Sequence, residues 1–329
     1  MEETMKENFP LISVIVPVHN EEETIEKSLN SILNLDYPNY EVIVVNDGST
    51  DGTSPILAKF GNKIKVISTP GIGPAAARNI ASKQARGEYL AFTDGDCLVE
   101  KNWLKELLAG FTASEVAGVG GDQLSPDDET EFGKFLNKFM KAIGLLGEYL
   151  KPFSADLSSS VAVMETEHNP SCNVMYKKEI FFKVGYFLEN LWPGEDVELD
   201  YRIKKAGFKL LFNPKAIVYH YRPNKLKKFV RMMYHYGRVQ GFLVRRFGIF
   251  RRIQLVPAIS LMLVILLWEL KRHNTYSGIL FVSLLSVAGE FYFYQRTKNL
   301  FSSIKYLILL PVVVVAWLAG FFWGLVAKR

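Results

Sequence analysis

Residues Leu11 to Val18 read LISVIVPV, a run in which Ser13 is the one polar side chain. Apolar residues at successive rather than alternate positions mark a strand buried on both faces, and such strands belong to parallel sheets covered by helices. The next stretch, Glu22 to Leu35, has Ile25, Leu29, Ile32 and Leu33 at helical spacing. Tyr40 to Asn46 and Lys63 to Ser68 repeat the strand pattern. Gly71 to Ile80 is a Gly/Pro loop entering a small-residue helix, and Tyr89 to Phe92 is a further short buried strand. Strands alternating with helices at intervals of about 25 to 35 residues predict an α/β chain with a doubly wound sheet, in which ligands bind beyond the carboxyl ends of the strands.

Polar loops occupy those ends. Phe92 is followed by Thr93-Asp94-Gly95-Asp96-Cys97. Two acids at i and i+2, with a glycine freeing the backbone between them, can turn both carboxylates toward one point. That suits Mg²⁺ or Mn²⁺ with a diphosphate completing the shell; the same residues also make an ordinary polar turn. Asp47, where the second strand breaks into Gly48-Ser49-Thr50-Asp51, suits a base or ribose contact or a cap. Arg78 and Asn79, just inside a helix start, would contact a phosphate, position an acid, or pair structurally with the Asp94 and Asp96 carboxylates. The chain has no GxxxxGK[ST], and GIGPAA lacks GxGxxG spacing directly after a strand, so neither a P-loop nor a dinucleotide fingerprint is present.

Charge divides the chain. Residues 1–224 carry 23 Lys+Arg against 32 Asp+Glu, whereas residues 225–252 carry nine basic residues and no acid. Behind this belt lie three apolar windows, Ile253 to Leu270, Tyr276 to Tyr294 and Tyr306 to Ala327, the last two interrupted by Glu290 and Pro311. Each is near the ~20 residues a helix needs to cross a bilayer. The expected organisation is a catalytic body over 1–224, a basic amphipathic juxtamembrane segment over 225–252, and about three transmembrane helices over 253–329. The polar, acidic start MEETMKENFP carries no signal pattern. The expectation is a multi-pass protein of the cell membrane with its body cytoplasmic. The belt, Arg296, Lys298 and Lys305 then lie inside, and Lys271 and Arg272 outside. In the belt, cations mix with Phe229, Met232, Met233, Tyr236, Phe242, Leu243 and Phe247. Nucleic acid is another partner for such a belt, but apolar windows directly behind it favour lipid. Two cysteines, Cys97 and Cys172, are too few for a disulfide framework and fit a reducing compartment.

Several of these stretches together carry a resemblance. Ser13-Val14-Ile15-Val16-Pro17 with His19-Asn20-Glu21, Val45-Asn46-Asp47-Gly48-Ser49-Thr50-Asp51, Ala77-Arg78-Asn79 and Thr93-Asp94-Gly95-Asp96 occur in this order. With Ser171-Cys172-Asn173 and Pro193-Gly194-Glu195-Asp196-Val197-Glu198-Leu199, they make residues 10 to 225 resemble glycosyltransferase family two. That family is inverting, dependent on nucleotide sugars, and built on a GT-A type fold. The resemblance implies a mixed sheet flanked by helices, a UDP- or GDP-sugar donor, and a Mn²⁺ or Mg²⁺ cofactor. It implies that Pro17, Asn20, Glu21 and Asp47 line the nucleotide pocket, that Asp94 helps hold the nucleotide, and that Asp96, of the DXD motif, binds the metal. Many relatives read D-A-D-D where this chain has Asp94-Gly95-Asp96-Cys97, which leaves one fewer carboxylate; Cys97 is not expected as a ligand of that metal. Within the family the Glu-Asp pair supplies the base; Asp196 is the expected base and Glu195 a positioning or acceptor-binding residue, the two roles being exchangeable.

Four further stretches bear on function. Phe132, Phe135, Leu136, Phe139, Ile143, Leu146, Tyr149 and Leu150 have helical spacing, suited to a core helix or to one lying at a lipid surface. Glu195 and Asp196 open an amphipathic helix stopped by Gly207, where acids also serve as caps. His220 ends the strand Ala216 to Arg222 and suits a metal or diphosphate ligand or a plain hydrogen-bonding role. Gln240 is followed by Gly241-Phe242-Leu243-Val244, with no Trp after Arg245, unlike the Q-x-x-R-W of processive synthases. The expected activity is therefore a single hexosyl-type transfer from a nucleotide sugar to a lipid-linked or polyprenyl phosphate acceptor. A processive synthase and a non-catalytic nucleotide-sugar-binding subunit are the alternatives.

Overall fold

The computed structural model describes residues 9–145 and 162–327. Leu146, Tyr149 and Leu150 of the expected Phe-rich helix, and residues 1–8 of the N-terminal stretch, lie outside the described residues. The chain divides into two compact units, one of residues 1–137 and 144–222, the other of residues 138–143 and 223–329.

The first unit is built on one sheet. Its strands are β1 (Ile12–Val18), β2 (Tyr40–Asp47), β3 (Lys65–Thr69), β4 (Tyr89–Phe92), β5 (Cys97–Val99), β6 (Val116–Leu124), β7 (Met164–Glu165), β8 (Val174–Lys177) and β9 (Lys209–His220). They run in the order β3-β2-β1-β4-β8-β6-β9-β5, with β7 added against β9. β3, β2, β1 and β4 are parallel, and β8 runs antiparallel to both β4 and β6. The helices are α1 (Ile25–Leu33), α2 (Thr53–Ala58), α3 (Pro74–Gln84), α4 (Trp103–Ala109), α5 (Glu131–Ala142, of which residues 131–137 belong to this unit), α6 (Lys178–Lys183) and α7 (Glu195–Lys205).

β1 shows why its sequence is apolar throughout. Val14 and Val16 pack in the cluster that holds Ile25, Leu29 and Ile32 of α1 and Trp103 and Leu107 of α4. Ile15 packs on the opposite face, with Ala77 and Ala81 of α3 and Leu199 and Ile203 of α7. Each such side chain, fully buried, contributes about 1.5–3 kcal/mol, so a polar residue on either face would be costly.

β9 and β5 are two of the elements that depart from the sequence expectation. β9 begins at Lys209 rather than Ala216, because the ladder to β6 is interrupted. Gly121 faces Asn213 and the next residue, Asp122, faces Ile217. Pro214 falls in this irregularity, where a missing N–H breaks no ladder bond. Pro and the polar residues beside it hide the strand from a periodicity reading. β5 was also unexpected, since three residues directly after a turn give no pattern to read.

The second unit holds α8 (Leu226–Phe247), α9 (Val256–His273), α10 (Thr275–Thr297) and α11 (Leu300–Val326). Residues Arg252–His273, Thr275–Thr297 and Leu300–Val326 form helices long and apolar enough to cross a membrane. Glu290, the acid in the second, accepts a hydrogen bond from the Ser303 hydroxyl of the third, which gives the carboxyl a polar partner between two apolar helices. α8 carries the basic belt, and its glycines lie against α11. A Cβ on Gly237 would stand 1.9 Å from the Trp317 carbonyl oxygen, and one on Gly241 2.0 Å from that of Phe321. Reciprocally, a Cβ on Gly320 would stand 1.9 Å from the Tyr234 carbonyl oxygen, and one on Gly324 2.0 Å from that of Arg238. Small residues four apart on both helices thus allow backbone-to-backbone approach.

Candidate active site

The parallel strands β1, β2 and β4 end side by side and deliver their loops to one edge. Pro17 is buried in β1 opposite Val45 of β2. Beyond β1 the chain turns at Asn20, whose φ of 58° lies in the left-handed region that Asn tolerates. Its amide N–H donates to Ser49 Oγ at 3.0 Å, and its Oδ1 accepts from the Thr50 N–H at 2.8 Å. This ties the β1 and β2 loops together. Asp47 at the end of β2 is buried. Its Oδ1 accepts from the Thr69 hydroxyl and the Ile72 N–H and its Oδ2 from the Gly73 N–H, all at 2.7 Å. Burial alone would raise its pKa, but these three donors outweigh it and hold the carboxyl below its ordinary range.

β4 delivers Asp94 and Asp96, whose environments differ. Asp94 Oδ1 accepts from Arg78 Nη2 at 2.5 Å, while Nη1 of the same guanidinium donates to Glu195 Oε1 at 2.8 Å. Arg78 is 2 % exposed. Its fork joins the β4 loop to the start of α7, so its two ends are committed to carboxylates within the protein. Asn79, the next residue, donates to the Phe187 carbonyl and accepts from the Phe187 N–H.

Asp96 turns the other way. Its Oδ2 lies 3.4 Å from His220 Nε2, because β5 runs antiparallel to the end of β9 with Cys97 directly opposite His220. Burial would lift the Asp96 carboxyl, yet the imidazole more than offsets this and its pKa is lowered. His220 is the mirror case: burial pulls down, the Asp96 charge pushes up, and its pKa settles at about 10. Glu21 completes the group. Burial first, then repulsion from Asp96, raises its pKa to about 7. Asp96, Glu21 and His220 offer O and N donor atoms, which fit Mn²⁺ or Mg²⁺ once the imidazole has given up its proton.

α7 opens at Gly194, whose φ of 103° admits the sharp entry, and presents the Glu-Asp pair. Glu195 is buried against Arg78, and burial together with the neighbouring Asp196 raises its pKa to about 8 despite that partner. Asp196 keeps 16 % of its side chain exposed against 3 % for Glu195. Its Oδ2 accepts from the Ser171 N–H at 3.1 Å and its Oδ1 from the Val197 N–H at 2.8 Å. Two residues that the sequence reading did not single out stand behind it. His168 Nε2 is 4.0 Å from Asp196 Oδ2, and its Nδ1 is 2.9 Å from Asp200 Oδ2. Asp200 also accepts from the Tyr176 hydroxyl at 2.7 Å and the Asn169 N–H at 2.8 Å. Asp200 follows Asp196 by four residues on one helix face, which was a legible signal; His168 had none beyond its nearness to Ser171.

A mixed α/β sheet with carboxylates gathered where its parallel strands end is the GT-A glycosyltransferase fold. The chain belongs to glycosyl transferase family 2, whose family model matches residues 13–185; it is a glycosyltransferase. Glycosyltransferase AglE of Haloferax volcanii is 32% identical over 256 residues, 75% of this chain and 79% of the relative. A dolichyl N-acetyl-alpha-D-glucosaminyl phosphate 3-beta-D-2,3-diacetamido-2,3-dideoxy-beta-D-glucuronosyltransferase of Methanococcus voltae is 26% identical over 260 residues, 75% of this chain and 77% of its own. Mannosyltransferase PcManGT from Pyrobaculum calidifontis, solved with GDP-Man and Mn2+, superposes with a TM-score of 0.60. It is 19% identical, over 97% of this chain and 88% of that one, and shows the shared fold.

Proposed function

We propose that the chain transfers a sugar from a nucleotide diphosphate sugar to a lipid-linked or polyprenyl phosphate acceptor at a membrane, in one inverting displacement. The observation that carries this reading is the division of labour among the carboxylates. Glu195 and Asp94 are occupied by Arg78, Asp96 faces His220, and Asp196 alone of the α7 pair keeps a partly exposed carboxylate. In this reading Pro17, Asn20, Glu21 and Asp47 shape the nucleotide pocket, with Asp47 acting through the loop it holds. Asp96 and His220 hold Mn²⁺ or Mg²⁺, which when bound offsets the charge of the departing diphosphate. Asp196 takes the proton of the acceptor hydroxyl. The Ser171 and Val197 N–H groups fix its carboxylate, and Asp200 orients His168 beside it. Arg78 and Glu195 hold the β4 loop and α7 at the distance the reaction needs. The three apolar helices and the acceptor in the name of the Methanococcus relative support a membrane-borne substrate. The charge pattern supports a body on the cytoplasmic side.

Asp96→Asn, Asp196→Asn and Glu195→Gln in the purified full chain test these roles. Binding of UDP, GDP and their sugars is read by thermal shift with and without Mn²⁺, and turnover by release of nucleotide diphosphate. Asp96→Asn should lose the Mn²⁺-dependent part of binding, because an amide is a poor ligand for a hard dication. Asp196→Asn should keep donor binding while turnover falls ~10²- to 10⁴-fold, roughly 3 to 5 kcal/mol of barrier. Parallel loss of donor binding in Asp196→Asn, or parental turnover, would show that Asp196 is not the base.

A further inference from the structure

The sequence contains two cysteines, and both are buried free thiols. The fold brings them together from distant segments. Cys97 opens β5, opposite His220 of β9. Cys172 sits in the turn before β8, a turn fixed by Asn173. The Asn173 side chain donates to the Asp122 and Ala216 carbonyls at 2.8 and 2.9 Å and accepts from Trp103 Nε1 at 2.8 Å. As a result the two sulfur atoms and a ring nitrogen of His220 all lie within 4.8 Å of one another. Asp96 borders the group, with Oδ2 3.4 Å from His220 Nε2 and Oδ1 3.6 Å from Cys97 Sγ.

Buried thiols commonly serve as small apolar fillers, and that role would place them among aliphatic side chains alone. Here both face an imidazole, and one faces a carboxylate as well. Zn–S and Zn–N bonds of about 2.3 and 2.0–2.1 Å put neighbouring ligands of a tetrahedral site roughly 3.5 to 3.8 Å apart. The present spacing reaches that with side-chain adjustments on the order of an ångström.

We propose that Cys97, Cys172 and His220, bordered by Asp96, form a binding site for a thiophilic divalent cation such as Zn²⁺ or Cd²⁺, with water or an Asp96 oxygen in the fourth position. As the bonds form, the two thiols and the His220 imidazolium release their protons to solvent, and the two thiolates together with the neighbouring Asp96 carboxylate more than balance the charge of the ion. A hard cation gains little from thiolates, whereas Zn²⁺, Co²⁺ and Cd²⁺ favour them over oxygen-only sites. Occupancy engages His220 and borders Asp96. On the reading above, in which the same two residues hold the donor's Mn²⁺ or Mg²⁺, the two cations exclude each other and the thiophilic one inhibits transfer.

Co²⁺ serves as the probe, because thiolate-bound tetrahedral Co²⁺ gives an intense sulfur-to-metal charge-transfer band and visible d–d bands. The full chain in detergent, reduced with a phosphine and stripped of metals, is titrated with Co²⁺, and Zn²⁺ is then added. With two cysteines in the whole chain, a thiolate band in the parent protein assigns the ligands without any variant. The expected result is both band sets at one Co²⁺ per chain, bleached by Zn²⁺. Cys172→Ala should weaken Co²⁺ binding at least ~10-fold, the lower end of what even an outer-shell change costs, and retain Mn²⁺-dependent nucleotide binding. Absence of the charge-transfer band, or a band unchanged in Cys172→Ala, overturns the proposal. Failure of the donor-metal reading looks different: the band forms, but Mn²⁺ with UDP never competes with it.

Discussion

At the scale of single residues, the site depends on which carboxylates are already spoken for. Asp47 is the clearest case, since its oxygens accept from Thr69 at the end of β3 and from the Ile72 and Gly73 N–H groups that lead into α3. Its pKa is held down in the folded protein. The stabilisation is therefore complete above the unfolded value of about 3.9 and is lost as pH falls through the lower folded value. Asp47→Asn keeps one acceptor oxygen, so it should cost about 1–3 kcal/mol at neutral pH. The gap in thermal midpoint between parent and variant should then narrow as pH is lowered below 4. A gap constant from neutral to acid would show that Asp47 does not hold the loop through its charge. Gly48 beside it explains the tight approach: its φ is 71°, and a Cβ there would stand 2.8 Å from the Gly71 backbone nitrogen.

At the scale of elements, the contact of α8 with α11 is the feature most exposed to test. Gly237 and Gly320 each leave no room for a side chain, because the obstruction is a backbone carbonyl that cannot rotate away. Gly237→Leu or Gly320→Leu should force the two helices apart and cost more than the 1–3 kcal/mol usual for overpacking. The measurement is thermal unfolding in detergent, with Gly248→Leu offering a contrast where a Cβ meets open space but φ is 77°. If Gly237→Leu unfolds at the parental temperature, the helices do not pack by these glycines. The glycine spacing was printed in the sequence, 237 with 241 and 320 with 324, but nothing local says which two helices a pair of small residues will join. The same reason limited the reading elsewhere. β1, β2 and β4 were legible because burial on both faces leaves an apolar run, and Asp94, Asp96, Glu195 and Asp196 stood out by their motifs. The bond from Arg78 to Glu195 spans 117 residues, and the meeting of Cys172 with Cys97 and His220 follows from strand register. Neither leaves a local trace. The first half of β9 was hidden because its ladder is broken at Pro214.

At the scale of the whole molecule, charge along the chain predicts an orientation. Nine basic residues and no acid lie in 225–252, immediately before the first apolar helix, and Arg296, Lys298 and Lys305 lie around the connection from α10 to α11. The last turn of α9, before the connection to α10, has Lys271 and Arg272. Basic residues near the ends of spanning helices are retained on the cytoplasmic side, and short connections weigh most. Three spans with the belt inside then place His273 outside and Lys298 inside. His273→Cys and Lys298→Cys, introduced singly, turn this into a labelling experiment in intact cells with a membrane-impermeant maleimide. Cys97 and Cys172 are buried, so the parent chain supplies the background. His273→Cys should label in intact cells, and Lys298→Cys only after the membrane is opened. The reverse pattern would place the belt outside, and with it the nucleotide-sugar site, away from the cytoplasmic pool of donors. Labelling of both in intact cells would mean that the segment between them does not cross at all, and Glu290 in α10 would then be the reason to look for a re-entrant helix.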